Sequence, residues 1–366
     1  MPTKRSHAMI TARKQVKQPG FFDVAERAQK LEHLGDPLVA LHTVIDWEAF
    51  RSDLESVHQK ERKSNAGAKP FDVVLIFKML ILQQLHNLSD DGIEYQVRDR
   101  LSFMRFLGLQ MEDKVPDAKT IWLYRERLKS NGLTEVLFER FHEQLAKHGY
   151  IARGGQMIDA TFVEVPRQRN TKEENTQIKS GTTPEDWQSK LNKLAQKDVD
   201  ARWTKKNEER YYGYKNHINA DQADKLIRAY AVSDASVHDS QVFEELLDDQ
   251  FGAKGKKRAI YADSAYRSKE QEAKLQESKI PSRVCEKGAR NHPLTQEQKV
   301  ANKEKSKIRS RIEHIFGAQA QMGGHIVRTI GMVRARIKIG LMNLTYNRKR
   351  LVALLRKDRK GMFAAS

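Results

Sequence analysis

From residue 37 to 149, apolar side chains recur every three to four positions through "DPLVALHTVIDWEAFRSDLESVH", "PFDVVLIFKMLILQQLHNLSDDGIEYQVRDRLSFMRFLGL" and "DAKTIWLYRERLKSNGLTEVLFERFHEQLAKHG". That period, with Asp, Ser or Pro at the starts, predicts an all-α N-terminal region. Breaks are expected at "KSNAGAKP" and "MEDKVPDAK", where Gly, Pro, Asn and Asp gather. Near residue 155 the pattern changes. "QMIDATFVEV", "RYYGYKNHINAD", "KLIRAYAVSDA" and "KRAIYADSAY" are short, rich in β-branched and aromatic residues and bounded by turn residues, so they read as strands. "NADQADK" reads as a hairpin turn, "SVHDSQVFEELLDDQFG" and "SKEQEAKLQESK" as helices, and "IPSRVCEK" as a short fifth strand. The resulting order is three strands, helix, strand, helix, strand, helix. It implies mixed α/β layers whose first strands are antiparallel and whose later ones cross over.

This organisation divides the chain into a basic arm (1–36), a helical domain (37–150), an α/β domain (151–355) and a basic tail (356–366). Residues 166–209 are polar, charged and poor in aliphatic clusters, and are expected to form a flexible insertion in the α/β domain. No internal repeat is visible.

Composition narrows the partner. The 366 residues are 39% hydrophobic, enough for one or two cores, and 66 Lys and Arg against 48 Asp and Glu give a formal charge of +18. An excess of that size favours a polyanion, with nucleic acid first and a membrane surface as the rival. No stretch approaches the roughly 18 to 20 apolar residues of a spanning helix, and the basic N-terminus lacks the apolar segment of a secretory signal. A single cysteine, Cys285, excludes an internal disulfide and a C-x-x-C metal site. A reducing, cytoplasmic location is the expectation, with Cys285 as a small buried hydrophobe. Residues 325–366 hold eleven Lys and Arg against one acid, Asp358, which suits a phosphate backbone.

Three carboxylates carry the candidate chemistry. Asp159 interrupts an apolar strand whose two faces are both covered, so its charge needs a cation or a hydrogen-bond network. Asp263 ends the fourth strand in the same manner. Glu313 lies at the edge of a helix stripe formed by Ile308, Ile312, Ile315 and Phe316, with Lys305 and Arg309 on its side to hold a phosphate. Two strand acids plus one helix acid can hold two Mg²⁺ or Mn²⁺ ions roughly 3.5 to 4 Å apart for in-line phosphoryl transfer. The chain has no G-x-x-x-x-G-K-[ST] loop, no H-E-x-x-H and no Cys/His cluster.

Other residues have a bland reading beside the functional one. Lys215 and His217 share a strand face and could touch a scissile phosphate. His238 and Asp239 read as a helix start, capped by Asp239 or Ser240. Asp234 reads as a loop residue with a reserve role as metal ligand. Trp203, Tyr211, Tyr212 and Tyr214 could stack on an unpaired base, but strand aromatics ordinarily pack.

The blocks "MIDAT", "YYGYKNH", "SVHDSQVFEELLD", "YADSAY" and "RSRIEHIFG…VRTIGMVRARIKIGLMNLTYN", in that order over residues 40–350, resemble the DDE transposases of bacterial insertion sequences, in the group with a "VPDAKTIWLYRERL" helical domain. The resemblance implies a ribonuclease H-like catalytic domain with a five-stranded mixed sheet flanked by helices, and Asp159, Asp263 and Glu313 as its metal-binding triad. It also implies a helical domain that recognises terminal inverted repeats, target DNA as second substrate, a homodimer that joins two ends, and a bacterial, nucleoid-associated cytoplasmic site. The family's signature runs Tyr, Arg, Glu, Lys around the glutamate. Arg309 and Glu313 match it, whereas Ser306 and Ala320 stand in place of the Tyr and the Lys. Lys305, Arg328 and Arg334 are candidate replacements, and Arg336 is a further candidate DNA contact. Two alternatives stay open: a structure-specific nuclease that cleaves without joining, and a DNA-binding regulator without catalysis.

Overall fold

The computed structural model describes residues 20, 22–58, 69–130, 132–150, 154–206, 208–247, 258–289 and 292–364, of which 130 and 359–364 are described by backbone alone. Most of the expected basic arm (1–19) and most of "KSNAGAKP" lie outside these residues. The helical region comprises α1 (Asp23–His33), α2 (Pro37–Val44), α3 (Arg51–Glu55), α4 (Val73–Leu85), α5 (Asp90–Asp99), α6 (Leu101–Leu107), α7 (Ala118–Ser130) and α8 (Leu133–Lys147). Apolar on all sides, α4 is buried along nearly its whole length, and Asp72 caps it by accepting from the Leu75 N–H at 2.9 Å. "MEDKVPDAK" is the expected break between α6 and α7.

The sheet contains β1 (Gln156–Glu164), β2 (Arg202–Lys206), β3 (Glu209–Asp221), β4 (Ile227–Asp234) and β5 (Ile260–Ala262). Antiparallel pairing joins β3 to β1, β2 and β4, whereas β5 runs parallel to β1. Thus β1 is central, as its apolar faces require. The number of strands is the expected five, but the membership differs. "IPSRVCEK" makes one isolated parallel bridge, Ile260 to Ser282, and a further bond from Cys285 N–H to Ala262 O at 3.1 Å, without a full ladder; Pro281, lacking an N–H, ends the pairing on the N-terminal side. The fifth strand is β2, from within the segment expected to be a flexible insertion.

That segment is folded. It carries α9 (Lys172–Lys179), α10 (Glu185–Gln188) and α11 (Leu191–Leu194), with Ile178 and Trp187 buried beneath them. A capping box joins Thr171 and Glu174, and the Trp187 indole N–H donates to Glu174 at 2.7 Å. Sparse aliphatic content hid this small core because one tryptophan and one isoleucine supply it. Of the helix expected over "SVHDSQVFEELLDDQFG", residues 236–247 form only a short turn, Asp239–Gln241, and α12 (Phe243–Leu246), and residues 248–252 lie outside the described residues. His238, rather than Asp239 or Ser240, caps the turn through its ring nitrogen.

Beyond β5 come α13 (Lys269–Glu277), α14 (Gln296–Arg309), α15 (Glu313–Gln321) and α16 (Met332–Ala364). The 33 residues of α16 pack on α2, α4, α7 and α8 of the helical region and on β3 and β4 of the sheet. One apolar cluster accordingly runs from Leu38 through Phe77, Met157 and Ile218 to Leu354. The other sheet face has its own cluster, with Ile158, Phe243, Ile260, Ala262 and Leu275. The expected boundary at 150/151 therefore does not separate two cores, and the expected tail 356–366 continues α16 to Ala364. Among the described residues no helix is long and apolar enough to cross a membrane.

Candidate active site

Strand register builds the site. Parallel pairing sets Gln156 beside Ile260, Met157 beside Tyr261 and Ile158 beside Ala262. Carried one step past its last pair, that register sets Asp159, within β1, level with Asp263, the residue that follows β5, on strands about 4.8 Å apart. Ile158 and Ala262 face the smaller cluster, so alternation turns both acids to the opposite face. There α15 packs through Ile312, Ile315 and Phe316 and brings Glu313 in its exposed first turn.

Asp159 is 7% exposed. Burial pushes its carboxyl up to about 6; Arg309 and the Ala160 N–H oppose the shift, while Glu313 and Asp263 add to it. Its Oδ1 accepts from Ala160 N at 2.9 Å and its Oδ2 accepts from the Arg309 guanidinium. Although burial works against its charge, Arg309 is held ionised by Asp159 and Asp263, and its Nε is buried without a partner among the described residues. Asp263 is half-buried and accepts from Ser264 N at 2.5 Å. The three acids thus share one field, with a guanidinium supplying the cation that buried Asp159 needs. Among the described residues no three acidic, His or Cys side chains converge on one point. The donor set nevertheless fits a divalent cation: all its atoms are hard carboxylate oxygens, and an acid shifted upward mainly by burial, with acidic neighbours adding, is stabilised by added positive charge.

Several expected DNA contacts are engaged elsewhere. Lys215 is buried and donates to Val237 O at 2.7 Å and Asp239 Oδ1 at 2.8 Å. His217 is fully buried; Nε2 meets Ser233 Oγ at 2.8 Å, and burial lowers its pKa to about 4. Neither can reach a phosphate, because the strand face they share is covered. A short 3₁₀ turn, Ser310–Ile312, interrupts the helix expected to carry Lys305, Arg309 and Glu313 on one side. Lys305 instead binds Val284 O at 2.9 Å, while Arg309 points to Asp159. Arg334 is paired with Glu126 of α7 at 2.7 Å, whereas Arg328 and Arg336 are exposed. Ser306 lies 3.8 Å from the buried thiol of Cys285, and Ala320 is exposed. Asp234, expected in a loop, is instead the last paired residue of β4 and accepts from Ser236 N at 2.8 Å. Tyr211 stacks on Phe162 with ring centroids 4.2 Å apart, Tyr212 is buried, and Tyr214 bonds buried Asp198 at 2.7 Å.

Sequence reasoning missed the polar brace that seats α15. Asn216 of β3 and Asn343 of α16 exchange side-chain hydrogen bonds at 3.0 and 3.1 Å, and Gln319 of α15 donates to Asn343 at 2.7 Å. All three are buried and sit on the Asp159 side of the sheet. Asn inside "YKNHI" and "LMNLT", amid apolar neighbours, was the available signal.

Two family descriptions match the chain: a transposase domain, DUF772, over residues 26–127, and a transposase DDE domain over residues 152–348. A solved structure similar to this chain is the cryo-EM structure of a piggyBac transposase synaptic complex with hairpin DNA. It is 12% identical, with 88% of this chain and 76% of that chain covered and a TM-score of 0.47. Together with antiparallel β1, β3 and β4, parallel β5 and flanking helices, the DDE-domain match defines a ribonuclease H-like fold.

Proposed function

Since the chain belongs to the transposases with a DDE domain, we propose that it binds the terminal inverted repeats of an insertion sequence, cleaves DNA at the element ends and transfers the 3′-hydroxyl ends to target DNA. The observation that carries the active-site assignment is the register that sets Asp159 beside Asp263, with Glu313 coupled to them from α15. Asp159, Asp263 and Glu313 would hold two Mg²⁺ or Mn²⁺ ions, which supply Lewis-acid activation of water or a 3′-hydroxyl and stabilise the departing oxygen. The chain's own groups fix the rest. β1 holds Asp159 within the sheet, and the end of β5 leads into Asp263. The Asn216–Asn343–Gln319 brace holds α15, and with it Glu313, against the sheet. The Lys215–Asp239 pair fastens the loop after β4 beside the site. Arg309 is placed to exchange Asp159 for a scissile phosphate. Pairing of two copies, one on each element end, belongs to the same reading, as does work on cytoplasmic DNA.

The test is an Mg²⁺-dependent assay on a labelled duplex carrying the element's end, with wild type, Asp159→Asn, Asp263→Asn and Glu313→Gln. Wild type should nick at the end and join the new 3′-terminus to a second duplex, while each variant binds without cutting. Cleavage that survives in a variant removes that acid from the site. Cutting without joining makes the chain a nuclease, and binding without cutting makes it a regulator.

A further inference from the structure

The β2–β3 hairpin carries a large aromatic surface that packing does not use. Trp203 is 45% exposed, whereas Trp47 and Trp187 are buried. Its ring leans on Tyr212, centroid to centroid 4.9 Å at 32°, and the Arg167 guanidinium lies over it at 5.6 Å. Cross-strand register places Trp203 opposite Tyr212 and Lys205 opposite Arg210, so Trp203, Lys205 and Arg210 share one face of the hairpin. Arg167, Lys205 and Arg210 are exposed, and among the described residues neither Arg167 nor Arg210 has a salt-bridge partner. Lys205 meets exposed Glu208 at 2.9 Å, a surface pair worth little against a phosphate.

These residues line an open groove of about 570 Å³. The groove shares lining residues with two neighbouring depressions. Thr204 and Lys205 also wall a depression that reaches Ala160 and Thr161, the residues that follow Asp159. Arg167 also borders a second depression lined by exposed Arg328 and half-buried Thr329 and Ile330. Exposed cations and one exposed indole therefore form a single basic tract of Arg167, Trp203, Lys205 and Arg210 along this groove.

We propose that this tract binds an unpaired DNA strand, with Trp203 as the stacking platform for one base and Arg167, Arg210 and Lys205 as contacts to its phosphates. Cations along a groove combined with an accessible aromatic plane suit a single strand, since every base offers a π-face and the backbone supplies the charge. In a duplex those faces are hidden by base stacking, so duplex DNA would use the cations and leave the indole idle. The proposal rests on the chain acting on DNA and adds where a displaced strand would run.

Binding is measured with the full-length protein in EDTA, so that no cleavage intervenes, using a fluorescein-labelled oligo-dT of about 12 nucleotides and a duplex of the same length. Trp203→Ala should weaken oligo-dT binding by about 5- to 150-fold, the loss of one stacked base, and leave duplex binding within about twofold. Trp203→Phe should recover most of the loss, and Arg167→Ala with Arg210→Ala should weaken binding and flatten its salt dependence. Oligo-dT binding unaltered in Trp203→Ala, equal losses for single strand and duplex, or no oligo-dT binding by wild type would each overturn the proposal. End cleavage in Mg²⁺ is scored separately. A wild type that cuts while Trp203→Ala binds oligo-dT normally keeps the transposase reading and loses this one.

Discussion

Arg309 gives Asp159 the positive charge that its burial demands, and both side chains are well shielded, at 22% and 10% exposure. Removing one partner of such a pair leaves the other charge buried and uncompensated, at a cost of about 3–5 kcal/mol. Arg309→Ala should therefore lower stability by that order in denaturant titrations at pH 8 with EDTA. The double variant Arg309→Ala, Asp159→Asn should recover most of the loss; a double variant no more stable than Arg309→Ala would detach the two residues. His217 makes the pH prediction. Its folded pKa of about 4 lies below the ordinary value of 6.5, with burial as the main cause, Asp239 opposing and Lys215 adding. The unfolded chain thus takes up the proton first as pH falls, so this contribution is complete above pH 6.5 and is lost on the way down to about 4. The total is about 3 kcal/mol. His217→Gln should flatten the decline in melting temperature between pH 7 and 4.5, and parallel curves for the two proteins would refute the assignment. Asp159 stood out in the sequence because a carboxylate inside an apolar strand needs a partner, and the structure supplies Arg309. The covering of Lys215 and His217 was not legible there, because alternation alone does not show that β4 and the loop after it close over their face.

Elements show the same limit. The strands β1, β3, β4 and β5 were readable from short apolar runs and turn residues, and α4 from its all-round apolar pattern. The interruption at Ser310–Ile312 was not, because "KSKIRSRIEHIF" has no Gly or Pro to mark it and the turn follows from packing Ile312 and Ile315 onto the sheet. Strand β2 was hidden for a related reason: "RWTKK" is nearly all polar and becomes a strand by pairing with β3. At this junction Gly213 has φ +149°, and a Cβ there would lie 2.3 Å from Val163 O and 3.0 Å from Val165 N. Both neighbours are backbone atoms of the central-strand region and cannot swing aside. Gly213→Ala should cost about 1–3 kcal/mol or more and lower the melting temperature. It should also shift the amide spectra of β1 and of the hairpin together. An unchanged melting temperature would show that β3 can bend here without glycine.

At the scale of the whole molecule, α16 makes one body of two regions that the sequence divides at residue 150. Asp200 accepts from the Met332 N–H at 2.8 Å at its start, Asn347 exchanges hydrogen bonds with Ile227 of β4 at 2.8 and 2.9 Å, and Arg348 enters the helical region. The Arg348 side chain is fully buried, with the rings of Trp47, Phe50, Phe77 and Phe141 at 4.6 to 5.5 Å and all three nitrogens unpartnered among the described residues. Burial lowers its pKa well below the ordinary arginine value. Four aromatic faces return part of the desolvation cost, each by up to about 2 kcal/mol. The unmade hydrogen bonds and the missing counter-charge remain against it. Arg348→Met keeps most of the volume and removes the charge, so it should raise the melting temperature; Arg348→Ala opens a cavity among the rings and should lower stability by about 2–5 kcal/mol. Because one apolar cluster spans both regions, that loss should move a single transition, with far-ultraviolet dichroism and tryptophan fluorescence remaining coincident. Two separated transitions in Arg348→Ala would mean that the sheet region holds its structure when the helical region is lost, and that α16 joins two independent units.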